Sequence, residues 1–534
     1  MKRYLARAAC VAVMAFSGLS SGGGARAEVD HWTRAESAHF IVYSNSPDDR
    51  IRDFVERLEA FDDQADKLYR QIGDSELPGT GKQVFYYLNK IDDYNIVHPR
   101  ATSPNGFTFR PYTTCPFEDA RYFGVNMGED RQAQTSEYVN LDLSYTYLAY
   151  AETKNIKFFS APLPAWLDRG LKYYLMTLNV QPDKLVVGQM LPEMAIDLKP
   201  NQHRFIPLAD IVSDTPPSLG VDMAHINAES WFLVHWLAST PESRQMLTAY
   251  IARTRDGEDP LKAFVEVTGK QPDDLLPLYK DYLSKGVPVQ VFAHTPQPAG
   301  ALSLTVLPYS GQPVPLFDAA VSACSDVLHR KTLLGDLRAA AKAFPDDALA
   351  QRAQLRGEVL TGDAKSGELR AALAPLEAVV AAHPDDADAL TLLGHLHLRL
   401  AEAAAPDAAH ADYAAARAAL GQAYKLEPAS PTILALFSRA RADLPGYPDD
   451  QARQAMDLAQ SYSDGLYAAY VVELDVRRDD YDSALKLLAD VHPDLLYGEM
   501  KTRATALLEA LKAHKPQTEV LPLVAAYQQL RFRG

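Results

Sequence analysis

The sequence lacks an excess of basic residues, since 53 Lys and Arg stand against 69 Asp and Glu, a formal charge of −16. Proteins that bind nucleic acid need a basic surface that neutralises phosphates, so we expect no nucleic-acid partner. Beyond its N-terminus the chain also lacks an apolar run of about 20 residues, the length that spans a bilayer. We therefore expect a soluble mature protein without a membrane span. The 534 residues, 47% of them hydrophobic, are enough for roughly two to four globular domains.

Residues 1–27 are typical of a secretory signal peptide. Three basic residues begin the segment, a short apolar run follows over residues 8–16, and Ala25-Arg-Ala27 fits the small-x-small cleavage pattern. We predict cleavage after Ala27 and a periplasmic or secreted protein. The segment holds four basic residues and no acidic one, so its removal leaves 49 basic against 69 acidic residues, a formal charge of −20.

Cysteines are scarce: the chain has three, and Cys115 and Cys324 remain after cleavage. In an oxidising compartment these two could form a disulfide. Because they lie far apart in different segments, we favour two buried free thiols and keep pairing as the alternative.

Residues 28–286 mix strand and helix patterns, which indicates an α+β domain. Runs of β-forming residues over 39–44 and 84–88 predict strands, and apolar spacing over 50–72 predicts a helix. Further helices are predicted over 139–155, 164–176, 224–238, 241–254, 259–268 and 272–285. Six prolines over 287–316 indicate a linker or a small β element between domains.

Residues 317–534 are rich in alanine and leucine, and a pattern recurs there. The same spacing of small, large, small and proline residues occurs twice, 44 residues apart, as Ala372, Leu376, Val379, Pro384 and as Ala416, Leu420, Ala423, Pro428. It resembles the second helix of a tetratricopeptide repeat, whose usual period of about 34 is lengthened here by an Ala-rich insert near 401–410. We predict an all-α solenoid that binds an envelope protein or a peptide. The alternative is a non-repetitive helical bundle.

The front part contains motifs that resemble those of a peptidase group. The run Pro164-Ala-Trp-Leu-Asp-Arg-Gly-Leu-Lys-Tyr-Tyr174 resembles the second active-site helix of gluzincin peptidases, in particular the peptidase MA-like group of exported bacterial proteins. Segments 32–44, 228–237 and 249–283 resemble other parts of that group in the same order. The resemblance covers about residues 30–285, and it implies a zincin-like domain with a small sheet and active-site-type helices.

The zinc ligands that the resemblance implies are missing. The group uses His-Glu-x-x-His on one helix and a Glu on the next, and the zinc activates a water molecule. No His-Glu-x-x-His or His-x3-His occurs in the chain. The closest match places Leu143, Ser144 and Tyr147 at the His, Glu and His positions, and the third ligand falls on Arg169. A second register keeps Glu137 but has no histidine.

Arg169 argues against a divalent metal at this place on electrostatic grounds. Two unit charges 4 Å apart interact by about 4 kcal/mol at an effective dielectric constant of 20, and a dication roughly doubles this repulsion. We therefore predict no metal, no cofactor and no catalytic residue, and a binding or scaffold protein of the cell envelope. We also expect Arg169 to fill the old metal cavity and to pair with a nearby acid.

The alternative function is a hydrolase. It could be a metallopeptidase with relocated ligands, built around His225 and Glu229, which share one helix face, or a metal-independent enzyme that uses Glu137 or Asp168. A simpler role for Asp168 is an exposed i, i+4 ion pair with Lys172. The relocated site requires that three ligand side chains come together from the set His39, His98, His225, Glu137 and Glu229.

Overall fold

The computed structural model describes most of the chain. The described residues are 31–531 except 77–80, 99–101, 104–105, 108–111, 127–149, 152–156, 160–162, 182, 192–193, 195–197, 199–205, 213–222, 272–274, 296–300, 310–311, 324–326, 364–366, 464–465 and 491–497. The predicted signal peptide and most of the predicted helix 139–155 lie outside them. Within the described part of the chain, no helix combines the length and the apolar character needed to cross a bilayer.

The front of the chain is organised around a six-stranded mixed sheet. The strands of the protein are β1 (Thr33–Glu36), β2 (Phe40–Ser44), β3 (Gln83–Leu88), β4 (Thr102–Ser103), β5 (Gly106–Phe107), β6 (Tyr112–Cys115), β7 (Glu118–Val125), β8 (Asn179–Val180), β9 (Lys184–Val187), β10 (Gln290–Ala293) and β11 (Ser303–Val306). The main sheet has the order β11-β1-β2-β3-β7-β6. Its three central strands β2, β3 and β7 are parallel, and the outer pairs are antiparallel. The sequence-predicted strands at 39–44 and 84–88 are confirmed as β2 and β3.

Seven helices accompany this sheet in the described front part of the chain. They are α1 (Asp48–Ile72), α2 (Ala165–Met176), α3 (Leu208–Val212), α4 (Met223–Ala238), α5 (Pro241–Arg255), α6 (Pro260–Thr268) and α7 (Leu275–Ser284), and a short 3₁₀ helix covers Ile91–Ile96. Most of these bounds agree with the predicted helices to within about three residues, and side-chain caps mark the starts of two of them. Thr240 and Ser243 form a reciprocal capping box before α5, and Asp259 caps α6.

Because successive side chains of a strand point to opposite faces, the sheet contributes side chains to two hydrophobic cores. Phe40, Val42 and Phe85 point to the face that α1 covers, in a core that also contains Trp166 and Trp231. Within this core α2 and α4 cross closely, because a Cβ on Gly170 would lie 2.4 Å from the carbonyl oxygen of Ser230. The front helices therefore cover only one face of the sheet.

Helices fill most of the described chain after the sheet. They are α8 (Val314–Ser322), α9 (Val327–Ala343), α10 (Ala348–Thr361), α11 (Glu368–Ala371), α12 (Leu373–Ala382), α13 (Ala387–Ala403), α14 (Pro406–Leu426), α15 (Pro431–Arg439), α16 (Asp450–Ser461), α17 (Ala468–Arg477), α18 (Tyr481–Asp490), α19 (Gly498–Lys512) and α20 (Gln517–Arg531). Side-chain caps begin several of them, at Asp347, Asp386, Ser430 and Asp449. Each cap closely follows a proline in the sequence, so the chain repeats its helix-start signal.

The repeating pattern marks second helices, as predicted. Leu376 lies on α12 and Leu420 on α14, and both are fully buried. Pro384 and Pro428 each follow two residues after the end of these helices. A Cβ on Gly394 of α13 would lie 2.5 Å from Cγ of Leu420, so the two helices of this pair approach closely. The Ala-rich insert extends the ends of α13 and α14. The C-terminal region is thus largely helical and tetratricopeptide-like.

The first helices of this region cover the second face of the sheet. Tyr43, Tyr86 and Phe123 of the sheet share one buried cluster with side chains of α8, α9 and α10, among them Leu316 and Leu337. The repeat region predicted to begin at residue 317 is therefore not packed apart from the front part. The sheet lies between two helical layers, and it belongs to both parts.

For residues 287–316 the sequence left open a linker or a small β element, and the described residues of this segment include two strands. β10 pairs with β9 in a small antiparallel sheet, and β11 pairs with β1 at the edge of the main sheet. Both strands thus belong to sheets of the front part. Their partners lie far away in the sequence, so local composition could not reveal the pairing.

Cys115, the last residue of β6, is disulfide-bonded, so the preference for free thiols is wrong for this residue. The other cysteines, Cys10 and Cys324, lie outside the described residues. The prediction relied on distance along the chain. That distance does not decide which segments meet in the fold, since α8, which ends at Ser322, packs against β7.

Candidate functional site

Of the predicted vestigial zinc positions, the structure describes Arg169 alone. Leu143, Ser144, Tyr147 and the alternative base Glu137 lie outside the described residues. Arg169 is half-buried on α2, and burial lowers the pKa of its guanidinium. Within the described ranges, no acid forms an ion pair with Arg169.

The predicted ion pair between Asp168 and Lys172 is present. The Lys172 Nζ atom lies 2.8 Å from an Asp168 carboxylate oxygen. Lys172 is buried rather than exposed, since α2 packs its C-terminal half into the core. The pair neutralises a lysine whose charge would be costly to bury alone.

His225 and Glu229 both lie on α4, as the sequence predicts. Glu229 is buried, and one of its carboxylate oxygens accepts a hydrogen bond from the Ile206 N–H at 3.1 Å. Burial raises the pKa of Glu229 to about 7, although the Ile206 hydrogen bond opposes this. His39 instead contacts α1, where its Nδ1 lies 2.7 Å from Glu59. Among the residues that the structure describes, no three His, Cys, Asp or Glu side chains are grouped to hold a metal ion.

A different site is formed by the turn between β6 and β7. This turn lies on the surface formed by α10, α13, α15 and α17, which we call the first-helix face because each helix begins a repeat pair. The backbone N–H of Phe117 donates a hydrogen bond to the Tyr467 hydroxyl at 3.0 Å. The Phe117 ring lies edge-on to Tyr470, with 5.1 Å between ring centroids, and 5.9 Å from the His395 ring. The Arg439 guanidinium lies 5.2 Å from the Phe117 ring centre.

Next to Phe117, a buried arginine joins the turn to the repeats. Arg356 of α10 donates to Glu118 at 3.1 Å, to Asp318 of α8 at 3.0 Å and to both carboxylate oxygens of Asp388 at 3.0 and 2.8 Å. Arg356 and Glu118 are 4% and 5% exposed, so this contact is sealed from water. One guanidinium therefore connects β7 with three helices.

Two carboxyl groups of this network, those of Asp388 and Glu118, have pKa values shifted in opposite directions. Burial raises the pKa of Asp388, but Arg356 and Arg352 outweigh it and hold the pKa well below the ordinary value. Burial also raises the pKa of Glu118, here to about 7, because the two guanidiniums nearby, Arg356 and Arg121, do not fully compensate. Glu118 is thus held less firmly in its charged form than Asp388.

A small cavity of about 10 Å³, room for about one water molecule, remains between the turn and the first-helix face. It is lined by Phe117, Glu118, Asp119, Arg356, Asp388, Thr391, Leu392, His395 and Thr432. His395 is 8% exposed, and its Nδ1 has no hydrogen-bond partner among the described residues. Burial lowers the pKa of His395 to about 3, helped by Arg399 and Arg439, so the ring is neutral at pH 7.

Comparisons with known proteins add little to this geometry. No protein-family model matches the chain, and no curated protein matches it. Among solved structures, the chain is similar to a thermophilic tetratricopeptide-repeat protein of Thermus thermophilus. That likeness has 20% sequence identity and a TM-score of 0.27, and it covers 30% of this chain and 81% of the other.

Sequence reasoning missed both Phe117 and Arg356. The apolar spacing of α10 holds a usable signal, because Leu349, Ala353 and Arg356 lie on one helix face, where a third apolar residue is expected. A charge at such a position indicates a buried partner. Phe117 carries no comparable signal, since its contacts are up to 350 residues away.

Proposed function

We propose that the mature protein is an exported, non-catalytic binding or scaffold protein of the cell envelope, which holds another envelope protein or a peptide through its helical repeats. One observation carries this proposal: the first-helix face already holds a polypeptide turn by aromatic, cation–π and charge-paired contacts. Such a surface has the chemistry of a peptide-binding site, with aromatic and arginine anchors in place.

The finer assignment of the front part to the peptidase MA-like group belongs to this proposal. It is supported by the order of the motifs along the chain, and Arg169, which stands where a ligand is needed, supports the loss of catalysis. In this proposal the peptidase-like scaffold persists as a support for the repeats. Purified mature protein that holds stoichiometric zinc and cleaves a peptide library would contradict it.

A binding test must use the whole mature chain. Residues 317–534 alone would expose the surface of α8, α9 and α10 that packs on the sheet. We expect immobilised wild-type protein to retain a specific envelope protein, and Arg439→Ala or Tyr470→Ala to reduce that retention. Equal retention by wild type and both variants would place the binding surface elsewhere and refute the role of this face.

A further inference from the structure

The turn between β6 and β7 fits the first-helix face incompletely. Phe117 has a φ of +68°, a left-handed conformation that a bulky residue adopts only under strain. Its side chain remains partly exposed despite its aromatic neighbours. The surroundings therefore hold this residue in a conformation that its own backbone disfavours.

The charged half of the contact is also replaceable. If Glu118 left the cluster, Arg356 would keep its contacts with Asp318 and Asp388. The remaining partners would leave no uncompensated buried cation. Another carboxylate could take the position of Glu118 without disturbing the helices that carry the other two acids.

One buried polar atom beside the turn has no hydrogen-bond partner in the described part of the present arrangement. The His395 Nδ1 atom is buried and unpartnered among the described residues, and His395 lines the small cavity beside the turn together with Arg356. A buried polar atom without a partner is costly, so a segment that supplied a hydrogen bond there would fit better than the present turn does.

We propose that the turn at residues 116–118 is an internal ligand, which occupies a recognition site for a partner segment that carries an aromatic residue followed by a carboxylate residue. This inference rests on the proposed function, and it specifies the partner chemistry of the same face. The aromatic ring of the partner lies between Tyr470, His395 and Arg439, and its carboxylate pairs with Arg356. The partner also donates or accepts a hydrogen bond at His395.

Because the turn occupies the site, a partner segment binds only to molecules in which the turn has left it. A tethered turn competes with a free partner at a high effective concentration, which is in the millimolar range for short tethers. The apparent affinity of the partner falls in proportion to the fraction of molecules whose face is open. The disulfide at Cys115 and the pairing of β7 with β3 from Tyr122 onward hold the flanks of the turn, so displacement is confined to the residues between them.

The test uses a fluorescent synthetic peptide of residues 112–122 with Cys115→Ser as the probe. Its anisotropy is measured with oxidised, mature wild-type protein and with the Phe117→Ala variant. Removing the competing ring opens the face, so the variant is expected to bind the probe at least about tenfold more tightly than wild type. Phe292→Ala is the matched control protein, because Phe292 is exposed on β10, outside this face.

Two altered probes establish the chemistry. A peptide with Phe117→Ala and a peptide with Glu118→Gln are each expected to bind the Phe117→Ala protein about tenfold more weakly than the parent peptide, because each lacks one anchor. Equal binding of the parent peptide to wild type and variant, or equal binding of all three peptides, overturns the proposal.

A second measurement protects the test against misfolding of the variant. In wild-type protein, saturating peptide is expected to increase amide hydrogen exchange at Phe117, whose N–H loses its bond to Tyr467. Unchanged exchange at saturation overturns the inference. An envelope partner that the first-helix face retains and that excess peptide does not displace would also overturn it, while the proposed function would stand.

Discussion

The two parts of the molecule bury their apolar residues in different ways. The front part has one large core of bulky side chains, including Phe40, Phe85, Trp166 and Trp231. The repeats have several small clusters of leucine and alanine between neighbouring helices, such as the one around Leu396. A single core fixes its elements together, whereas stacked pairs contact mainly their neighbours. The contrast explains why the repeats can present a long row of first helices to a segment from elsewhere.

The contact between the front part and the repeats combines an apolar surface with a group of ion pairs. Tyrosines of the sheet pack on α8, α9 and α10, and at the edge of this apolar contact Arg356 collects three carboxylates. Apolar surfaces tolerate many orientations, but a guanidinium with three partners fits one arrangement. The network therefore orients α8, α10 and α13 relative to one another, and Glu118 adds a contact with β7.

The largest effect should come from removing this connection. Arg356→Met leaves buried carboxylates without their common partner and is expected to lower the free energy of unfolding by about 3–5 kcal/mol. The control Arg478→Met removes an arginine whose partner Asp450 is fully exposed, and it should cost less than about 1 kcal/mol. Urea unfolding measures both values. Similar small losses would show that the network does not hold the two parts together.

Substituting one glycine in each part tests how closely the helices pack there. Gly170→Ala drives a Cβ against a backbone carbonyl of α4, which cannot move alone, and should cost about 2–3 kcal/mol. Gly394→Ala meets the Leu420 side chain, which can shift, and should cost about 1–2 kcal/mol. The control Gly421→Ala has no neighbour within 4 Å and should stabilise α14 by about 0.5–1 kcal/mol. Thermal unfolding of the three variants would contradict this view if Gly394→Ala were the most costly.

A pH-dependent effect concerns Glu229. Because burial raises its pKa in the folded state to about 7, the wild type loses stability as the pH rises from about 4.5 towards 7. Glu229→Gln removes this loss, so its stability relative to wild type should increase by about 3 kcal/mol between pH 4.5 and pH 8.

Exposed Glu266 provides the control for this pH dependence. Its hydrogen bond with Arg253 lowers the pKa of its carboxyl, so Glu266→Gln should not change the slope of stability between pH 5 and pH 8. Urea midpoints at several pH values measure both variants. Parallel curves for wild type and Glu229→Gln would show that the buried carboxyl does not titrate in this range.

Local patterns predicted the elements that depend on local contacts. The helical spacing of Phe54, Leu58 and Phe61 placed α1, because helix bonds join residues four apart. The recurrence of Leu376 and Leu420 likewise placed the second helices of the repeats. In each case the physical signal lies within one or two turns of the chain.

The sequence did not predict the contacts between residues that lie far apart along the chain. β11 pairs with β1, nearly the whole front part away, and the prolines around it left open a linker or a small β element. The disulfide at Cys115 and the contact of Phe117 with Tyr467 also join distant segments. The candidate site consists of such contacts. Of its residues, only Arg356 could have been suspected, because a charge interrupts an apolar helix face.

The most direct test of the account is whether the two parts unfold together. All four tryptophans lie in the front part, at positions 32, 166, 231 and 236, whereas the helical repeats supply much of the far-ultraviolet circular dichroism. If the sheet is a shared layer, urea midpoints from tryptophan fluorescence and from circular dichroism should coincide in the oxidised mature protein. Loss of the fluorescence signal at a clearly lower urea concentration, with most of the helical signal retained, would contradict a common core.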